Sequence, residues 1–171
     1  VNTFDHLLVT LNKWVVVLLL AAMSVIVFAN VSLRYTTNFS ITWAEEVARY
    51  LMIWMTFLGA GLVMRFGGHV AITNLHDILS ANAQKIVRLV IAVVLFAFFA
   101  VMMWVGYEYM SRMGRQMTPA TRIPFSYIYA AMPIGFALLI LHFALIVRAY
   151  VNGETTDYGE TAGIDPQAAA G

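Results

Sequence analysis

Four stretches of this sequence, Trp14–Leu33, Val47–Met64, Leu89–Tyr107 and Tyr127–Val147, are almost wholly apolar, and their interiors carry no Asp, Glu or Lys; the one Arg, Arg49, stands near the start of the second. A helix needs about 20 such residues to cross the ~30 Å hydrocarbon core, since each residue rises ~1.5 Å. A spanning strand would have to alternate apolar and polar residues and close into a barrel. Runs such as Val15–Ala22 do not alternate. The pattern therefore predicts an all-α membrane protein with four transmembrane helices. Composition agrees: 61% of the 171 residues are apolar and 11% charged, against about half and about a quarter in soluble domains. The polar gaps are too short for a water-soluble domain. Residues 1–150 are expected to form a single four-helix transmembrane domain, followed by a polar, disordered tail over 151–171 that carries Glu154, Asp157, Glu160 and Asp165. The first run is too long for a cleaved leader and lacks a small-residue cleavage site, so it is expected to be a retained span with Lys13 as its flanking anchor.

A net charge of +1 argues against a nucleic-acid partner, which would require a strongly basic surface. Lipid and other proteins are the expected partners. The absence of cysteine excludes disulfides, a thiolate nucleophile and Cys-ligated metal or iron–sulfur sites. Trp14, Trp43, Tyr107, Tyr109, Tyr127 and Tyr129 stand near the span ends, where amphipathic rings suit the headgroup layer. Close helix approach in lipid relies on small residues. Gly59, Ala60 and Gly61 offer such a patch in the second span, Ala131 and Gly135 in the fourth, and Ala21, Ser24 and Ala29 in the first. Pro133 is expected to kink the fourth span near its start. In the segment Gly67–Ser80, Ile72, Leu75, Ile78 and Leu79 recur at helical spacing. A short amphipathic interfacial helix is expected there, between the second and third spans, with His69, His76 and Asp77 facing water.

The densest polar constellation runs from Thr42 to Arg49. Thr42 and Glu45 match a capping box opening the second helix. Glu45 and Glu46 stand four and three residues before Arg49, a spacing that allows either to pair with it. The sequence offers these carboxylates no nucleophile or metal partner, so no catalytic residue is assigned and the chain is not expected to be an enzyme. His69, His76 and Asp77 lack a further placed ligand for a metal. Haem would require paired axial ligands, and only His142 falls well inside a span; it is expected either to hydrogen-bond to a neighbouring helix or to lie near the interface. No cofactor is expected. Carriers place ionisable groups and broken helices near the midplane, and these spans lack charged interiors, so the chain is not expected to move a solute by itself. Basic residues divide five against five across the membrane, Lys13, Arg65, Lys85, Arg88 and Arg148 against Arg34, Arg49, Arg112, Arg115 and Arg122, so the positive-inside rule assigns no orientation. The 108–126 segment sets three Arg against Glu108, which suits either an acidic partner or phospholipid headgroups.

Arg34, the run Trp43-Ala44-Glu45-Glu46-Val47-Ala48-Arg49, then Gly59, Arg65, Gly68-His69-Val70 and finally Tyr129-Ala130-Ala131-Met132-Pro133 together resemble the small membrane subunit, or Q subunit, of tripartite ATP-independent periplasmic (TRAP) transporters. The resemblance covers about residues 5 to 150 and rests on order and spacing, most specifically in the second-helix segment. It implies a four-helix subunit of the bacterial inner membrane with both termini cytoplasmic, bound as a heterodimer to a large TRAP membrane subunit that holds the substrate and sodium sites. A periplasmic substrate-binding protein would deliver the substrate. The expected function is then a scaffold in sodium-coupled import of an organic acid of the C4-dicarboxylate or sialic acid type. Arg34, Thr42, Trp43, Glu45, Glu46, Arg49, Arg65 and His69 are the expected helix-capping or subunit-interface positions, and Arg112, Arg115 and Arg122 the expected docking positions for the binding protein. None is expected to touch substrate. A self-sufficient carrier or channel, which would transport alone, and a membrane-anchored redox subunit, which would bind metal or haem, are the alternatives.

Overall fold

A computed structural model describes residues 3–67 and 81–152 of the chain. The described residues form α1 (Thr3–Thr37), α2 (Ala44–Gly67), α3 (Ala81–Arg112), α4 (Phe125–Tyr129) and α5 (Ala131–Asn152), with a 3-10 turn at Met113–Arg115 after α3. Four units are long and apolar enough to cross a membrane, namely α1, α2, α3 and the α4–α5 pair. Among the described residues there is no strand, only an isolated bridge between Met117 and Pro124. The interfacial helix expected over Gly67–Ser80, with His69, lies outside the described residues. So does the tail beyond Asn152.

The first helix is longer than its apolar run. It has 35 residues and so is about 52 Å long, well over the ~30 Å hydrocarbon core. It begins at Thr3, and Lys13, expected in front of the first span, stands instead in mid-helix. The apolar window starts late because Asp5 and Asn12 read as polar interruptions. In three dimensions both are buried, at 6% exposure each, and are satisfied by other helices.

The spanning helices lie in the packing order α1, α2, α5, α3. This leaves α1 and α3 at the two ends. The hydrophobic core sits at the α3–α5 contact and consists of Ala92, Phe99, Phe136, Leu139 and Phe143. Its rings meet at oblique angles, with Phe96 and Phe143 centroids 4.8 Å apart, the tilted geometry that aromatic quadrupoles favour. The α2–α5 contact is a small-residue seam. A Cβ on Gly135 would stand 2.6 Å from Phe57 Cβ and 2.9 Å from its carbonyl oxygen, and one on Gly61 would stand 2.6 Å from His142 Cδ2. Gly59 faces open space instead, so of the three small residues in sequence only part of the patch packs within the chain.

The fourth crossing is interrupted at Ala130, between α4 and α5. Pro133 explains the position. It has no N–H to give to the Tyr129 carbonyl, and its ring crowds that group, so the first helical segment stops at Tyr129.

Candidate functional site

The polar groups of this bundle collect at two levels. The first is the start of α2. There the Ala44 N–H bonds to the Ile41 carbonyl at 3.1 Å and the Trp43 carbonyl accepts from Val47 N–H at 3.0 Å, so Trp43 caps the helix through its backbone. This corrects the capping box expected from Thr42 and Glu45: the helix starts one residue too late for it, and both side chains are exposed. The turn into α2 is closed by an amide from the preceding helix. Asn30 Oδ1 accepts from the Ile41 N–H at 2.8 Å and is 7% exposed. Asn38, at φ 54°, supplies the left-handed residue that lets the chain leave α1, a conformation Asn tolerates better than most residues.

Glu46 does not pair with Arg49. Its carboxylate reaches the loop between α3 and α4, accepting from Ala120 N–H at 2.8 Å and Thr121 N–H at 3.1 Å, and from the Thr121 hydroxyl. The loop is a tight reversal. Phe125 N–H bonds to the Gln116 carbonyl at 3.0 Å and Thr118 N–H to the Ile123 carbonyl at 2.9 Å. The buried Thr118 hydroxyl contacts that of Thr121 at 2.7 Å and accepts from Ile123 N–H at 2.9 Å. Backbone amides at a loop tip need acceptors when water is scarce, and an ionised carboxylate is the strongest one available. The i,i+3 spacing to Arg49 misled because a partner 74 residues away offered more bonds. Replacing Glu46 by Gln keeps the size but removes the charge and one acceptor oxygen. The amides of Ala120 and Thr121 should then exchange on the order of tenfold faster, while those of α5 stay unchanged; hydrogen exchange of the detergent-solubilised protein checks this.

Beside this clamp, an open cleft of about 520 Å³ is lined by Thr42, Glu45, Glu46, Arg49 and Tyr50 of the α2 entrance and by Phe125 and Tyr129 of α4. Four of the residues expected from sequence are thus brought together. Trp43 is 45% exposed, and Arg34 is exposed in the last turn of α1, where a cation complements the helix dipole. Of the basic segment, Arg112 pairs with Glu108 one turn earlier, whereas Arg115 and Arg122 are exposed. Arg122 sits at φ 54° in the reversal.

The second level lies toward the other end of the bundle. Arg65, at the end of α2, forms a 2.5 Å ion pair with Asp5 at the start of α1. At 3% exposure, Arg65, expected as a helix-capping or subunit-interface position, is turned inward and joins the end of α2 to the start of α1. Further in, Asn12 Nδ2 donates to the Leu58 carbonyl at 3.0 Å and meets His142 Nε2 at 3.3 Å. With that amide donating, Nε2 accepts and the ring proton sits on Nδ1. His142 is fully buried and bonds a neighbouring helix, as its position in an apolar run suggests. Sequence reasoning passed over Asp5, Asn12 and Asn30. The available signal was their spacing: separations of 7 and 18 residues are about two and about five turns, so all three fall on one face of α1. Among the described residues, no three His, Asp or Glu side chains converge to hold a metal ion.

The chain is similar in sequence to known proteins. The family model for the DctQ component of tripartite ATP-independent periplasmic transporters matches residues 23–151. A putative TRAP transporter small permease protein of Haemophilus influenzae is 44% identical over 72 residues, 42% of this chain and 45% of that protein. The C4-dicarboxylate TRAP transporter small permease protein of Vibrio cholerae is 25% identical over 170 residues, covering 85% of this chain and 73% of the relative. An isethionate TRAP transporter permease protein, DctMQ, of Oleidesulfovibrio alaskensis is 24% identical over 99 residues, 57% of this chain but 16% of that protein.

Proposed function

Because this chain belongs to the family of DctQ components of tripartite ATP-independent periplasmic transporters, we propose that it is the scaffold subunit of a sodium-coupled uptake system, bound as a heterodimer to a larger subunit in a bacterial inner membrane with both termini cytoplasmic. The family is one of transporter permease subunits, not enzymes. The observation that carries the scaffold reading is the use of polar groups within the described bundle. Asp5 and Arg65 are spent on each other, and Asn12 and His142 on helix contacts, which leaves the spans as packing surfaces. The DctMQ relative supports the larger partner, since a stretch similar to this chain makes up a small part of a longer permease. Relatives named for C4-dicarboxylate and sialic acid support a small organic acid as the imported solute, of the C4-dicarboxylate or sialic acid type. The loop held by Glu46, with Arg115 and Arg122 exposed and Arg112 beside them, would help receive a periplasmic substrate-binding protein.

Co-purification tests this reading. A tagged chain should bring down one much larger hydrophobic subunit in about equal amount, and liposomes holding this chain alone should take up no solute; uptake without a second subunit overturns the scaffold role. In the reconstituted system, Arg112, Arg115 and Arg122 changed together to Gln should lower binding-protein-dependent uptake several-fold with the membrane complex intact. Unchanged uptake and salt dependence would remove the docking role.

A further inference from the structure

The cleft beside the Glu46 clamp changes character along its length. Its volume of about 520 Å³ falls within the ~300–1,000 Å³ typical of small-molecule sites. Along α2 the lining passes from Glu45 and Arg49 to Ile53, and on α4 from Phe125 to Ile128. Charge at the start of α2 thus gives way to apolar side chains about two turns in. Pro119 and Ala120 also line the cleft, in the loop whose amides Glu46 holds. The clamp fixes that wall before any ligand arrives.

The level of the cleft in the membrane follows from α2. Tyr50–Met64 is the whole uncharged stretch between Arg49 and Arg65, 15 residues or about 22 Å of helix, which is less than the ~30 Å hydrocarbon core. The helix can cross only with Arg49 at one boundary, and Glu45, a turn earlier, then stands in the headgroup layer. Trp43, just before α2, and Tyr127, on α4, are exposed and carry the amphipathic rings that suit this layer. Glu46 is engaged with the loop, and among the described residues neither Glu45 nor Arg49 forms an ion pair. Their one-turn separation puts the Cβ atoms ~5–6 Å apart, so a carboxylate and a guanidinium stand side by side at the mouth of an apolar cleft.

We propose that this cleft binds a phospholipid with a primary amine in its headgroup, of the phosphatidylethanolamine class. The phosphate accepts from the Arg49 guanidinium, the ammonium donates to the Glu45 carboxylate, and the start of an acyl chain lies against Ile53 and Ile128. An acidic protein segment would satisfy Arg49 but set like charge against Glu45. The site needs no larger subunit, so it stands or falls separately from the functional reading above.

Native mass spectrometry of the full chain, released from detergent micelles with added lipid, tests this. The wild type should retain one phosphatidylethanolamine on the order of tenfold more tightly than phosphatidylglycerol, which has no ammonium, or phosphatidylcholine, whose quaternary amine donates no hydrogen bond. Glu45→Gln should abolish that preference and still retain a lipid. Arg49→Gln should lower retention of all three lipids on the order of tenfold, while Arg49→Lys, which keeps the charge, separates lost binding from lost folding by retaining most of it. Arg148→Gln, which removes an exposed cation near the end of α5, should change nothing. Equal retention of the three lipids by the wild type, an undiminished preference in Glu45→Gln, or an equal loss with Arg148→Gln overturns the proposal. So does displacement of the lipid by inorganic phosphate, which would reduce the site to a phosphate subsite, or by a bound partner subunit, which would give the cleft to protein.

Discussion

Arg65→Met is expected to destabilise the purified chain by about 3 to 5 kcal/mol, the cost of leaving one member of a buried ion pair without its counter-charge. Asp5 and the Arg65 side chain are nearly inaccessible to solvent, so water cannot replace the lost guanidinium. The pair also sits where helix dipoles assist it. Asp5 is in the first turn of α1 and Arg65 in the last turn of α2, each the terminus that favours its sign. Asp5→Leu combined with Arg65→Met should recover most of the loss, because an apolar pair in the same space avoids desolvation altogether. Thermal unfolding of the two single variants and the double variant in detergent gives the coupling directly. Additive losses would mean that the two side chains are not energetically joined.

The second large effect is steric. Gly135→Ala should cost about 1 to 3 kcal/mol, the usual range for overpacking a tight core. The added methyl meets the Phe57 carbonyl oxygen at 2.9 Å as well as its Cβ at 2.6 Å, and backbone cannot swing aside as a flexible side chain can. Separating α2 from α5 would also loosen the edge contact of Phe57 with Phe136, whose centroids are 6.0 Å apart. Gly59→Ala is the matched control. Nothing stands within 4 Å of its Cβ position, and alanine in a helix interior is favoured over glycine by about 1 kcal/mol. The two substitutions should move the melting temperature of the isolated chain in opposite directions. A loss at both positions would show helix flexibility, not packing, to be the reason for glycine.

These cases show where local reading of the sequence stops. The rule that pairs residues three and four apart on a helix made Arg49 the natural partner of Glu46, yet a loop tip 74 residues away offers two amides and a hydroxyl. The capping pattern at Thr42 and Glu45 is a local pattern too. The helix instead starts at Ala44, behind a turn whose Ile41 N–H is held by the amide oxygen of Asn30 from the previous helix. Pro133, by contrast, acts within its own chain segment, where α4 ends four residues earlier at Tyr129.

The sequence by itself determined that the chain is α-helical, that it crosses four times, and that its interior polar residues are few. Hydrocarbon offers no hydrogen bonds, so length and apolarity leave a helix as the solution for each run. Only the tertiary structure decided which small and polar residues matter. Gly61 packs within the chain and Gly59 does not, Arg65 pairs with Asp5, and Asn12 joins three helices while its neighbour Lys13 points outward. Periodicity along one helix marks the face on which a residue lies. What that face meets depends on the packing order α1, α2, α5, α3, which is set by the sum of many contacts between residues far apart in the chain.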